Sequence, residues 1–545
     1  MPTLFGPGVS FESGQTYLAD KPLYEIGLAD TRPRERIIHR DAVPVAFELR
    51  DLSDVTIDLG GATLLFNGRI LPFVLENCRN VTLRNFTIDY RRAAYTQADI
   101  LEAYPDRLVL RICEGFPCVF RDGEAIPVDG GAESNLHDGE FLMQPFDAVT
   151  RAPAYGAGCI LAAIGSGKEA KNPPLAVQRL KSELRGDGAV IWHGRFPSSY
   201  RAGQVLAFTC ESRATPAIYA CDCENVIVEH VRMKRVAGFG IHGYFCRDFT
   251  VRDMVLKVDD GSNELVSINA DGVHMIGLSG RLLIEDCVFE NMLDDGGNFH
   301  GYFTPVSAVA GDRVVASLDF HGGASLAWHR IFRPGQTLTV YRGNTIAVKG
   351  AVRVREADYP DDSRIELLLE GDTGIIRPGD HLENHEAMPE ITIRRCRTGR
   401  NRPRGFLLSS WRKTVVEDCH FYNCSSAIDF TGDTNYWHES GPVNDVTIRR
   451  CVFENCGYCG GPAPITAGPN FEPCGEAPCY HRGITVEDSA FICFDDAALS
   501  LRYCDGVTYR NNRFIHSMAY PRRRETARVL AEHCLNLHIE EDKPL

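Results

Sequence analysis

A short unit returns along this chain, and few folds can use it. It has apolar, often β-branched residues at alternate positions, then two polar residues, then Cys or Asn, then Phe. It reads "NVTLRNFTIDY" at 80–90, "RLLIEDCVFENM" at 281–292 and "ITIRRCRTG" at 391–399. It returns as "VVEDCHFYNC" at 415–424, "VTIRRCVFENC" at 446–456 and "ITVEDSAFIC" at 484–493, with weaker copies at 225–233 and 507–514. Val226 to Phe249 is 23 residues, Ile391 to Val415 is 24 and Ile484 to Val507 is 23. Period-two alternation marks strands. One strand of about four residues cannot bury its apolar side alone, but stacked copies can, and a period in the low twenties suits the coil of a parallel β-helix. The spaced leucines and terminal asparagine of a leucine-rich repeat are missing. Inward Cys, Asn and Phe at equivalent turns should stack coil upon coil.

The rhythm breaks twice. The stretches "DRLVLRICEGFP", "EFLMQPFD" and "AVIWHGRF" fall in the first break, and "DRVVASLDF", "QTLTVYRG" and "RIELLLEG" in the second. Both read as β-rich insertions of barrel or sandwich type. The expected organisation is N-terminal coils over 1–95, an insertion over 96–215, central coils over 216–302, a second insertion over 303–385 and C-terminal coils over 386–545. Long insertions in a solenoid emerge on one face, often the binding face.

Net charge of −15 gives no basic face for a phosphate backbone, so nucleic acid is not expected as a partner. No stretch of about 18 apolar residues predicts a membrane span. The opening "MPTLFGPGVSFESGQTYLAD" has no basic segment followed by an apolar run. A cytoplasmic protein is expected, or a secreted one if a signal has been removed. In so long a chain the 20 cysteines are expected to be reduced and mostly buried. Cys456, Cys459, Cys474 and Cys479 have spacings that also fit structural zinc, with a disulfide or plain thiols as alternatives. The oligomeric state, a homo-oligomer included, is left open.

The chemistry concentrates in "INADGVHMIGLSG" (268–280) and "NMLDDGGNFHG" (291–301). Asp271 and Asp294 are 23 residues apart, one coil, so Asp271, Asp294 and Asp295 should share a wall with His274 and His300. Neighbouring strands are spaced at roughly 4.8 Å. Crowded carboxylates raise one another's pKa, and glycoside hydrolysis needs one protonated and one ionised carboxyl group. An Asp-Gly turn and a calcium site are the competing readings. Trp437 and Glu439 in "NYWHESGP" offer an aromatic platform and a hydroxyl-binding carboxylate. Arg402 and Arg404 offer hydrogen bonds to sugar or aspartate, and His242 fits either the same wall or a structural role.

These residues resemble glycoside hydrolase family 110. The likeness rests on Ala270, Asp271 and His274, then Met292, Leu293, Asp294, Asp295, Asn298, His300 and Gly301, and extends to 60–90, 401–421 and 435–453. It implies an all-β chain, a right-handed parallel β-helix with inserted β-barrels. It also implies an inverting, exo-acting hydrolase that removes terminal α-1,3-linked galactose from a carbohydrate partner. Asp271, Asp294 and Asp295 would be its catalytic carboxylates, and His242, His274, Asn298, His300, Arg402, Arg404, Trp437 and Glu439 its substrate-binding residues. No cofactor or metal is expected. Gly296 and Gly297 depart from the pattern, which leads one to expect a larger residue there. The alternatives are a β-helical hydrolase or lyase for another polysaccharide, and a non-catalytic carbohydrate-binding solenoid.

Overall fold

The computed structural model describes residues 3–31, 43–116, 118–121, 124–127, 140–164, 177–210, 213, 215–320, 323–343, 345, 347–470 and 479–544. Two long sheets run the length of a parallel β-helix, of 21 and 12 strands, and their rungs are set by the repeat. Val55, Val81, Val226, Phe249, Leu282, Ile391, Thr414, Val446, Ile484 and Val507 pair in succession down one face. The apolar members of this row are buried in one continuous core. Ile391 pairs with Thr414, so the 24-residue spacing to Val415 is one residue too long there.

The corner of the repeat explains its sequence. Asp286, Arg395, Asp418, Arg450 and Asp488 have φ of 53–57°. This left-handed conformation turns the chain so that the next residue points inward. Asp adopts it readily and Arg less so. Each arginine corner is stacked on an aspartate corner, with Arg395 Nε 2.7 Å from Asp286 and Arg450 Nε 2.8 Å from Asp418. The inward residues Cys287, Cys396, Cys419 and Cys451 are buried. Each thiol donates to the carbonyl two residues back, at 3.2–3.3 Å. A small, weakly polar side chain fits that place. Ser489 and Asn512 continue the ladder through side-chain hydrogen bonds at 3.1 and 2.9 Å. Among the described residues 18 cysteines are free thiols. Cys456, Cys459 and Cys479 do not converge: their sulfurs face Phe421 O, Ala154 O and His533 O. Cys474 lies outside the described residues.

Both interruptions of the rhythm contain closed barrels. One is built from seven strands between Thr96 and Cys210, around buried Trp192, Phe141 and Phe208. The other has six strands between Thr304 and Asn384. Each insertion hands the chain back to the next rung, so that Val81 pairs with Val226 and Leu282 with Ile391. The first barrel's root, with Tyr95 and Phe146, packs on Leu293. The second barrel shares its core with Tyr219, Tyr244 and Ile276 on the outer face of the 12-stranded sheet. The aspartate motifs lie between these two anchorages.

Candidate active site

On that outer face Tyr219, His242, His274, Asn298, Leu407 and Asp429 stand in one register, one per coil. His300 belongs to the neighbouring column, in register with Ile276. Just before these strands the chain turns a corner, and the corner residues also stack. Gly272 N donates to Asp295 O at 2.9 Å and Gly296 N to Arg404 O at 3.3 Å. Asp271, Asp295 and Arg404 thus form a column of their own. The coil here is 24 residues, because Val273 pairs with Gly297. The coil partner of Asp271 is therefore Asp295, and Asp294 is its diagonal neighbour.

The column needs glycine after each functional residue. A Cβ on Gly272 would stand 2.6 Å from Gly296 O, and one on Gly296 2.5 Å from Gly405 O. A Cβ on Gly297 would stand 2.6 Å from the Phe299 ring. The larger residue that the family pattern led us to expect at 296 or 297 has no room.

Asp271, Asp294 and Asp295 are all buried, and their nearest carboxylate oxygens lie within 4.8 Å of one another. Their partners differ. Asp271 accepts from Asp295 N at 3.0 Å and bonds His274 Nδ1 at 2.6 Å. Asp295 is gripped by Arg404, with Nε at 2.9 Å, Nη2 at 2.9 Å and the backbone N at 3.1 Å. Arg404 also reaches Asp429 at 3.3 Å. Asp294 pairs with Arg213 and lies 3.7 Å from Arg402 Nη2. Arg402 is itself fixed by Leu293 O at 2.6 Å. Three guanidinium groups against three carboxyls leave little charge for a calcium ion to answer, so the calcium reading loses its main support.

These surroundings separate the three acids. Burial, helped by the charge of Asp294, pushes Asp271 up to about 8. Burial pushes Asp295 up to about 7, against the pull of Arg404. Burial also acts on Asp294, but Arg213, Arg402 and Arg404 together outweigh it and hold its carboxyl below the usual range. Asp271 bonds neutral partners, an amide and an imidazole, and is the firmer proton holder of the raised pair. Near neutrality the cluster holds one ionised carboxylate beside protonated neighbours, the division that acid–base chemistry needs.

Glu439 reaches the site by a pairing outside the solenoid, since Glu439–Ser440 runs antiparallel to Gly301–Tyr302. Its Oε1 lies 3.5 Å from His300 Nε2 and accepts from Asn298 Nδ2 at 3.2 Å. Asn298 Oδ1 is buried without a hydrogen-bond partner among the described residues, an acceptor suited to a hydroxyl. His300 Nδ1 bonds Gly301 O at 2.7 Å, and its Nε2 faces His274 Nε2 at 2.9 Å. His242 is buried, stacked on Phe239 with 4.2 Å between ring centroids, and lies tilted against His274 at 5.3 Å. Trp437 is 39% exposed, on a loop held by three backbone bonds to Asp433. Arg213 and Asp429 were not picked from the sequence. Asp429 carried a faint signal as the outward residue of "IDF", whereas Arg213 arrives at the end of the first insertion, where no repeat marks it.

The chain is 26% identical to "Alpha-1,3-galactosidase A" of Shewanella woodyi over 494 residues, 88% of this chain and 76% of that one. It is 26% identical to "Alpha-1,3-galactosidase B" of Bacteroides thetaiotaomicron over 552 residues, 99% of this chain and 85% of that one. The chain is thus similar along most of its length to proteins named α-1,3-galactosidases. That agrees with its resemblance to glycoside hydrolase family 110. No protein-family model matches it. Among solved structures, the Yersinia enterocolitica family 28 exopolygalacturonase overlaps all of this chain and 79% of its own, at 12% identity and a TM-score of 0.41. A likeness this loose says nothing about substrate.

Proposed function

We propose that this protein is a glycoside hydrolase that removes terminal α-1,3-linked galactose from oligosaccharides or glycans. The observation that carries it is the Asp271–Asp294–Asp295 cluster with its divided protonation, in a chain related along most of its length to α-1,3-galactosidases. The buried carboxylates suit a chain end better than the middle of a polymer, which supports exo action. A protonated member delivers its proton to the glycosidic oxygen, and the ionised Asp294 activates water or steadies the developing positive charge. Glu439 and Asn298 take sugar hydroxyls, and Trp437 offers a ring for the next sugar. His300, whose two ring nitrogens are engaged within the protein, holds Glu439 and His274 in place.

The resemblance implies inversion, and inversion is the stereochemistry proposed. Within the triad the carboxylates are closer than the roughly 6.5–9.5 Å of an inverting pair. The side chains do not splay apart, so inversion with Asp294 as the base requires the bound sugar to lie between acid and base and spread them. The spacing by itself favours a second reading, retention, for which separations of about 5–5.5 Å are usual. Proton NMR of the first product from a defined α-1,3-galactoside separates the two. β-Galactose before mutarotation is expected. α-Galactose first would replace inversion by retention, and no release from any terminal α-galactoside would end the galactosidase reading.

The pH profile follows from the same cluster. Activity that needs a proton on the Asp271–Asp295 pair falls as pH rises through about 7 to 8, the region of their raised values. An alkaline limb of kcat/KM in that window is expected. Activity undiminished to pH 9 would show that neither is the proton donor.

A further inference from the structure

We propose that His274, His300 and Glu439 form a binding site for a divalent transition-metal ion, which acts on this protein as an inhibitor rather than a cofactor. Nε2 of both histidines and a Glu439 oxygen lie within 4.8 Å of one another. The two Nε2 atoms are 2.9 Å apart, and His300 Nε2 is 3.5 Å from Glu439 Oε1. With metal–ligand bonds of about 2.0–2.1 Å, those two separations subtend angles of roughly 90–120°. Those are the angles between neighbouring ligands of a tetrahedral or octahedral ion.

The far side of each ring strengthens the case. A carbonyl can only accept, so His300 Nδ1 carries the hydrogen it gives to Gly301 O at 2.7 Å, and in the neutral ring Nε2 is then a lone pair. His274 Nδ1 faces the Asp271 carboxyl at 2.6 Å. Without metal, His274 Nε2–H donates to His300 Nε2 at 2.9 Å, and a metal ion takes the place of that hydrogen. A metal at Nε2 takes the tautomer with the hydrogen on Nδ1, given to an ionised Asp271, so the proton that Asp271 otherwise holds leaves as the metal binds. A carboxylate or carbonyl behind each imidazole is the arrangement that orients metal-bound histidines. Asn298 Nδ2 steadies Glu439 in the same way. Two imidazoles and one carboxylate select a zinc-, cobalt- or nickel-class ion, not calcium, which takes an all-oxygen shell.

Cobalt is the probe, because bound thiolates would betray themselves by intense near-ultraviolet charge transfer and this chain has 20 cysteines. Equilibrium dialysis of the full chain, stripped with EDTA, should give a Co2+ site with weak visible bands and no thiolate band. Glu439→Gln and His300→Gln should each weaken it at least about tenfold, and the outer partner change Asp271→Asn about 10–100-fold. Circular dichroism checks that each variant is folded. A thiolate spectrum, or unchanged affinity in folded Glu439→Gln and His300→Gln, overturns the proposal. Inhibition is a second arm and rests on the galactosidase reading: Ni2+ should raise KM for a terminal α-galactoside, and EDTA should restore it. If the chain cleaves no galactoside, that reading fails while the dialysis still decides the metal site. Cobalt bound at this site without any Ni2+ effect on KM overturns the inhibitory role.

Discussion

Asp271→Asn, Asp294→Asn and Asp295→Asn are each expected to lower kcat by at least about two orders of magnitude, the scale of positioned acid–base catalysis, with the fold retained. Each keeps the shape of the side chain and removes its charge or proton. The three should nevertheless differ in stability. Asp271 keeps its proton in the folded protein up to about 8, whereas an unfolded aspartate loses it near 4. As pH rises from about 4 towards 8 the folded state therefore binds the extra proton, and its stability falls relative to the unfolded chain. An asparagine at that position has no such proton to lose. Asp271→Asn should gain stability over the parent as pH rises through that window, and the gap should close on acidification. Asp294 is the opposite case. Its charge is answered by Arg213 and Arg402, and its removal leaves two guanidinium charges less well compensated, so Asp294→Asn should be less stable than the parent at neutral pH. Turnover on a terminal α-galactoside, and denaturant midpoints at pH 5 and pH 8, measure all of this. Three variants that stay active would remove these carboxylates from the mechanism. Parallel stability profiles for Asp271→Asn and the parent would show that Asp271 is not the proton holder.

The solenoid was legible because its signal is local and repeated. Alternation gives the strand, a polar residue in the left-handed region gives the corner, and Cys or Asn follows it inward. The position of the aspartates was legible for the same reason, since a coil's length converts sequence distance into neighbourhood. The conversion slipped by one residue at Asp271. Coil length is not constant, and the coil there holds one residue more than the 23-residue coils that set the expectation. What escaped altogether came from outside the repeat. Arg213 is delivered by the return from a barrel. Glu439 meets His300 through an antiparallel pair with Gly301–Tyr302, which no period announces. The glycines at 296 and 297 looked like departures from a pattern, yet they are what the packing demands. A sequence shows which residues recur, and the space left between coils appears only when the coils are stacked.

Gly296→Ala should be among the most damaging methyl groups that can be added near the site. Its Cβ would stand 2.5 Å from Gly405 O, well inside contact distance, and the obstacle is backbone and cannot rotate away. Overpacking a core usually costs about 1–3 kcal/mol, and a rigid neighbour places this change at the upper end or beyond. Relief requires the 296 and 405 corners to separate, and those corners carry Asp295 and Arg404. The 2.9 Å grip between them would loosen, and with it the placing of Asp295 beside Asp271. A displacement of about 1 Å at a reacting group costs on the order of 100-fold in rate. Activity should therefore fall about that far even at temperatures where the variant is fully folded. Gly186→Ala is the control. A Cβ there meets nothing within 4 Å, and the change should stay within about 0.5 kcal/mol of the parent. Urea denaturation with turnover at low temperature tests both. A Gly296→Ala protein as stable and as active as the control would mean that the corners have slack, and that the stacking of Gly272, Gly296 and Gly405 does not hold the aspartates where they are.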